Sequence, residues 1–371
     1  MRHNWEYKPF KEIANTITPV SKIEKAEYKS DGIFPIVSQE ETLISGYWND
    51  YNDITPHAKP IVIFGDHSRV LKYIDFDFVV GADGVKIIEP QDAIKAKFLY
   101  YYLHWLDIPS LGYSRHFKLV KEAIYPVPPM EVQERIVAEL DELNGVIESK
   151  REQLKQLDLL AQSIFYDMFG DPIMNPFAWT IKSISEICEI VGRIGFRGYT
   201  RNDLVSKGEG AITLSPTNIV NGNMNFSSCS YISWDKYFES PEIMIQTGDI
   251  IFTKTGSTVG KTAYVSFLAE KATINPQLVV FKNSRINNRY FAFVLRTDGI
   301  QVKVREKARG SAVPTISQKI LGTIHIPVPP IELQNQFAAK VEAIEKQKEE
   351  IEKSLKELQT LLDSRLDYWF N

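Results

Sequence analysis

At 371 residues and 44% apolar composition, the chain is long enough for two domains with separate cores. No apolar run approaches the ~18 residues of a membrane span, and Met1-Arg2-His3-Asn4-Trp5-Glu6 is no signal peptide. Cys188 and Cys229, the only cysteines, have neither metal spacing nor a disulfide framework. A membrane protein and a disulfide-stapled secreted domain are thereby excluded, and a reduced, cytoplasmic setting is expected.

Residues 1–127 carry short runs rich in Val, Ile, Tyr and Phe, broken by Gly, Asn, Asp and Pro. Those at 60–64, 78–80 and 85–88 read as strands, and 97–104 reads as helix. Next, Pro126-Val127-Pro128-Pro129-Met130-Glu131-Val132-Gln133 opens a long helical pattern. Proline is tolerated in a helix only in its first turn, so the diproline marks the start, and Glu131 sits where the helix dipole favours a carboxylate. Gly170 followed by Asp171-Pro172 stops it. Its seam runs through Leu140, Leu143, Ile147, Lys150, Leu154, Leu157, Ala161, Ile164 and Met168. That spacing has a 3.5-residue period, which belongs to helices that wind around a partner.

Residues 171–327 begin as a second copy. Trp5, Phe10, Glu12 and Ile13 reappear at a shift of 174 as Trp179, Ile184, Glu186 and Ile187. Strands are predicted at 250–253, 262–265 and 278–281, and a helix at 288–294. The proline motif then returns at a shift of 201 as Pro327-Val328-Pro329-Pro330-Ile331-Glu332-Leu333-Gln334. The seam follows it in phase, through Val341, Ile344, Lys348, Ile351, Leu355, Leu358, Leu362, Arg365 and Trp369. Two matched helices in one chain can be each other's partner. The growth of the shift from 174 to 201 places 27 extra residues inside the second domain, so one scaffold carries different loops. Each helix, at about 38 residues and 1.5 Å per residue, is a rod of roughly 55 Å. Gln, Glu and Lys fill its positions off the seam, so the rods are expected to stand free between the domains. The expected fold class is α+β: two pseudo-symmetric α/β domains, 1–127 and 171–327, separated by two long antiparallel coiled-coil-like helices, 128–170 and 328–371.

The net charge of −4 divides as −2 over 1–127, −5 over 128–170, +6 over 171–327 and −3 over 328–371. In the basic domain, Lys303, Arg305, Lys307 and Arg309 precede Gly310-Ser311-Ala312, which reads as a mobile basic loop suited to phosphates. The first domain has Tyr113-Ser114-Arg115-His116-Phe117-Lys118 at the corresponding place, 201 residues earlier than Pro314 to Lys319. Enzyme motifs fail. Gly256-Ser257-Thr258-Val259-Gly260-Lys261-Thr262 has three residues between its glycines where a phosphate loop needs four, and it runs from strand to strand, so a hairpin is expected. Gly192, Gly195 and Gly198 do not make a dinucleotide fingerprint, and the six histidines form no helix-borne metal pattern. Neither Asn175-Pro176-Phe177 nor Asn275-Pro276-Gln277 supplies the tetrad with which amino-methyltransferases hold a flipped base. No catalytic residue, metal or cofactor of the chain's own is expected.

The order of domain, Pro-Val-Pro-Pro helix, second domain and second Pro-Val-Pro-Pro helix resembles the specificity subunit of type I restriction-modification systems across essentially the whole chain. The segments from Gly248 to Gly260 and from Gly310 to Ile316 are similar to the strand and loop of that family's target recognition domains. Phe64-Gly65-Asp66-His67 and Val80-Gly81-Ala82-Asp83-Gly84 resemble another recognition-domain type. The resemblance implies a non-catalytic reader of double-stranded DNA, each domain taking one half of a bipartite target and the helices fixing the gap. It implies two methyltransferase subunits and, in the full complex, two restriction subunits, with S-adenosylmethionine, ATP and magnesium on those partners. A self-contained methyltransferase or nuclease would need a cofactor loop and a base-holding tetrad or acidic metal cluster. A scaffold that merely tethers two binding modules would keep the rods without the basic loops. Candidate DNA-contacting residues are Asp66, His67, Ser68, Arg69, Lys72, Lys86, Tyr113, Ser114, Arg115, His116 and Lys118 in the first domain. In the second they are Lys254, Thr255, Ser257, Thr258, Lys261, Arg305, Lys307, Arg309, Ser311 and Thr315.

Overall fold

The computed structural model describes residues 4–57, 60–112, 114–310 and 313–371, with the backbone alone at Phe196. Each domain is closed by a two-stranded antiparallel clasp. Glu6–Pro9 pairs with Ile124–Val127, Glu6 facing Val127, and Thr180–Ser183 pairs with His325–Val328, Thr180 facing Val328. Thr180 is Glu6 shifted by 174 and Val328 is Val127 shifted by 201, so both shifts of the duplication meet in one ladder. A one-turn helix follows each first strand, Phe10–Ile13 and Ile184–Ile187, with both of its end residues buried.

In the first domain a four-stranded antiparallel sheet has the order Ala14–Ile17, Val85–Pro90, Ile61–Gly65, Leu71–Ile74. Ile61–Gly65 is buried at every position, as suits a run of β-branched and aromatic residues flanked on both sides. A three-stranded sheet has the order Gly46–Trp48, Phe34–Val37, Val79–Val80, its last pair parallel. The second domain repeats the larger sheet as Glu189–Val191, Leu278–Lys282, Ile250–Thr253, Thr262–Tyr264 and extends it by Asn223–Met224 and Ile219–Val220. Its smaller sheet again ends in a parallel pair, Gly210–Leu214 with Ala272–Ile274. The six runs read as strands from the sequence are all strands, and the two domain helices are Ala96–Trp105 and Asn288–Arg296. The extra residues fall mostly in two places. Ile36 faces Gly46, ten residues on, whereas Ile212 faces Tyr231, nineteen on. The helix Asp298–Lys307 lengthens the path from Asn287 to Gln318 beyond that from Lys95 to Phe117.

The long helices are Met130–Phe169 and Ile331–Phe370, 40 residues each. Gly170, at φ +72°, ends the first. The glutamine that closes each proline motif is fully buried and locks the helix start to its domain. Gln133 Oε1 accepts from Lys95 N at 2.8 Å, and its Nε2 donates to Ala93 O and Pro128 O, both at 2.9 Å. Gln334 Oε1 accepts from Asn287 N at 2.8 Å and its Nε2 donates to Pro329 O at 2.7 Å. Lys95 and Asn287 are the N-caps of the two domain helices, so one side chain satisfies a free N–H of one helix start from the first turn of another.

Two compact units result, Met1–Gln153 with Glu350–Asn371, and Leu154–Glu349. Each takes part of each long helix. In the first, Ile136, Leu140 and Ile147 share a core with Leu362, Trp369 and Phe370, and Glu139 pairs with Arg365 while accepting from Trp369 Nε1 at 3.1 Å. In the second, Phe165 and Phe169 share a core with Phe337 and Val341, and Lys348 Nζ pairs with Asp158 at 2.6 Å. Within each unit, an early part of one helix meets a late part of the other, which is the antiparallel pairing. The expectation of rods solvated off their seams needs correction at their ends. Phe165 and Phe169 lie off the seam yet are buried, with Phe165 5.0 Å from Phe293 ring to ring. There the helix packs on its domain as well as its partner, so its apolar face widens.

Among the described residues, no helix is long and apolar enough to cross a membrane.

Candidate nucleic-acid interface

In both domains the fully buried strand of the larger sheet leaves its core at a turn, and a second segment meets that turn just before the last short helix. The contact is the same backbone bond in both: His116 N donates to Asp66 O and Ile316 N to Lys254 O, each at 2.9 Å. The two regions chosen from sequence in each domain are therefore one surface.

In the first domain Asp66 is 2% exposed. Its Oδ1 accepts from Phe117 N at 2.9 Å, at the start of helix Phe117–Glu122, and its Oδ2 lies 3.5 Å from Lys86 Nζ. His116, fully buried, bonds Asp66 O through Nδ1 at 2.9 Å and accepts from Leu111 N through Nε2 at 2.9 Å, which fixes the proton on Nδ1. His67 Nδ1 lies 3.2 Å from Ser114 O, and Arg69, at φ +63°, donates to Ile108 O at 2.8 Å. Lys72 is buried, donating to Ser38 O at 2.8 Å and Thr42 O at 2.6 Å, and burial pushes its pKa down to about 8. Ser68, Arg115 and Lys118 are exposed, while Ser114 and Lys86 are half-buried. Tyr113 lies outside the described residues.

In the second domain Gly256 N donates to Pro314 O at 2.9 Å, and Arg309 and Thr315 exchange both backbone bonds, at 2.9 and 2.8 Å. Pro314, and through Thr315 also Arg309, are thus held to the hairpin that joins Ile250–Thr253 and Thr262–Tyr264. Ser257, Lys261 and Thr315 are exposed, and Lys254, Thr255 and Thr258 are half-buried. Arg305, Lys307 and Arg309 are exposed beside them in the chain. Ser311 lies outside the described residues.

Two expectations change. Asp66, Lys72 and His116 do not face outward: Asp66 and His116 hold the turn to the loop from inside, and Lys72 satisfies the carbonyls of Ser38 and Thr42, because buried N–H and C=O groups need partners. The stretch from Lys303 to Lys307 is no mobile loop but the end of helix Asp298–Lys307, formed because Ile300 and Val304 share one buried face. Gln39 carried no signal in the sequence. Its Oε1 accepts from His67 N at 3.2 Å, its Nε2 donates to Asp83 O at 3.0 Å and its backbone O accepts from Ser68 Oγ at 2.6 Å. A glutamine in a polar loop is indistinguishable by spacing from any solvated one. The segment Gly256 to Thr262 is a hairpin, with Phe252 facing Thr262. Among the described residues, no three His, Cys, Asp or Glu side chains gather as metal ligands.

Comparison with known proteins agrees with the fold of two sheet-rich domains and two long helices. The family model described as the type I restriction modification DNA specificity domain matches residues 2–159 and 176–360. The type I restriction enzyme EcoR124I/EcoR124II specificity subunit of Escherichia coli is 23% identical over 346 residues, covering 90% of this chain and 84% of its own. A putative type I specificity subunit of Mycoplasma pneumoniae is 24% identical, covering 66% of this chain and 90% of its own. The fold is that of a type I restriction-modification S subunit from M. genitalium, at a TM-score of 0.60 and 14% identity over 98% of this chain and 96% of that one. Both domains and both long helices lie within these matches, and the chain belongs to the family of type I restriction-modification DNA specificity subunits.

Proposed function

We propose that the chain reads a bipartite target in double-stranded DNA, one half through each domain, as the specificity subunit of a type I restriction-modification complex. The observation that carries this reading is the repeated stitch of turn to loop in both domains, set among exposed basic residues. Ser68, Arg115 and Lys118, with His67, Ser114 and Tyr113 beside them, face one half-site. Lys254, Thr255, Ser257, Thr258, Lys261, Arg305, Lys307, Arg309, Ser311 and Thr315 face the other. Asp66, Arg69, Lys72, Lys86 and His116 position the first set. Basic side chains neutralise phosphates and fix register, while polar loop side chains reach base edges. The long helices set the gap between half-sites and dock two methyltransferase subunits, and two restriction subunits join the full complex. S-adenosylmethionine, ATP and magnesium act on those partners, in the cytoplasm.

The test is to sequence methylated positions in a host that expresses this chain with its partners. Two fixed half-sites at a constant gap are expected, and His67→Ala with Ser68→Ala, which removes polar loop side chains of the first domain, should relax one half alone. Methylation without a bipartite motif, or a variant that degrades both halves equally, would refute the assignment.

A further inference from the structure

A cavity of about 240 Å³ opens in the second unit between a hairpin tip and the long helices. The hairpin joins Ile219–Val220 to Asn223–Met224 through Asn221 at φ +49° and Gly222 at φ +79°, the two left-handed positions that Asn-Gly supplies. Gly222 matters here because a Cβ would collide with Arg296 Nη1. The Arg296 guanidinium therefore lies against bare backbone on one side and 5.0 Å from the centre of the Phe293 ring on the other.

Arg296 makes no hydrogen bond or ion pair with any described residue. The two carboxylates on the cavity wall are engaged elsewhere, Glu345 by Arg289 and Asp158 by Lys348. Those pairs cancel and leave one positive charge. A guanidinium stays charged and presents five donors in a fixed fork, so enclosing it without an acceptor is unfavourable. We infer that this cavity binds a small oxyanion, a carboxylate or phosphate group held by the Arg296 fork, with any apolar body against Phe293, Val341 and Ile344.

The site belongs to one copy only. Arg296 stands nine residues after the N-cap Asn287, and nine residues after Lys95 the first domain has His104. The hairpin lies in the insertion that the first domain lacks. The inference is thus independent of the DNA reading that both domains share.

The test follows thermal unfolding of the full chain with about 10 mM propionate or inorganic phosphate against chloride at matched ionic strength, which holds screening constant. One of the two anions should raise the midpoint of the second unit by about 2–4 °C. A response to propionate assigns an organic acid, and a response to phosphate alone assigns the phosphate group. Arg296→Met should abolish the shift and Arg296→Lys should weaken it, because an ammonium lacks the fork. Asn223→Asp places a carboxylate in the cavity, so it should raise the midpoint without added anion and remove the response, even if the arginine variants do not fold. No shift with either anion overturns the inference, as does a shift that persists in Arg296→Met or Asn223→Asp.

Discussion

Asp66 sits among the candidate DNA contacts of the first domain and is almost wholly buried. Asp66→Ala would leave Phe117 N, at a helix start, without an acceptor and Lys86 without its carboxylate, at a cost of about 1–3 kcal/mol. The expected outcome is a lower unfolding midpoint together with weaker discrimination at one half-site, read by sequencing methylated positions; equal loss at both halves would contradict it. Lys72 gives a pH signature. Its folded pKa of about 8 lies below the ordinary 10.5, so between those values the unfolded chain holds a proton that the folded chain has released. Stability should therefore rise with pH across that window, and Lys72→Met should remove the slope in denaturant titrations. For the basic edge of the second domain, Lys307→Ala with Arg309→Ala should weaken DNA binding and flatten its salt dependence by roughly one unit per lost phosphate contact. An unchanged slope would exclude these residues from the phosphate contacts. Gly, Ser, Arg and Lys drew attention to two stretches in each domain, and the structure stitches the two stretches of each domain together. The sequence could not say which side chains turn inward, since within Asp66 to Arg69 that depends on one left-handed residue, Arg69.

The recurrence of glutamine at the end of both proline motifs is explained by what Gln133 and Gln334 hold. Each reaches the N-terminus of a domain helix, so Gln133→Leu strands Lys95 N and Gln334→Leu strands Asn287 N, each at about 1–3 kcal/mol, measurable by urea unfolding. The proline signal for the helix start was legible from residue chemistry. The glutamine's role was not, because its partners lie 38 and 47 residues away. Along the seam, Lys348 finds Asp158, whereas Lys150 has no ion pair among the described residues. Lys150→Leu should add apolar burial and raise the melting temperature without changing the target, since a half-buried lysine on a seam gives up stability. A lower melting temperature would reject its placement on the seam.

At the scale of the molecule, the duplication was plain because its two shifts are constant over whole motifs. The unit boundary was not, because it falls inside uninterrupted helices whose seam does not change there. If those helices set the gap between half-sites, one heptad inserted after Leu154 and another after Leu355 keeps the seam in phase and lengthens each by about 10 Å. The assembled complex should then methylate the same half-sites with a gap longer by about three base pairs. An unchanged gap in a variant that folds and assembles would show that the helices are not the ruler.

The discontinuity of the first unit also has a consequence in time. Residues 154–349 are a contiguous unit, whereas the core built on residues 1–153 includes Leu362, Trp369 and Phe370. Phe370 stands 5.5 Å from Phe98 ring to ring, and Trp105 Nε1 donates to Asp367 at 2.8 Å. During synthesis, domains fold as their residues emerge. The second unit can therefore close while the first still waits, with the faces of Phe98, Tyr102 and Trp105 uncovered, for a helix made some two hundred residues later. Maturation of the two halves runs opposite to their order along the chain.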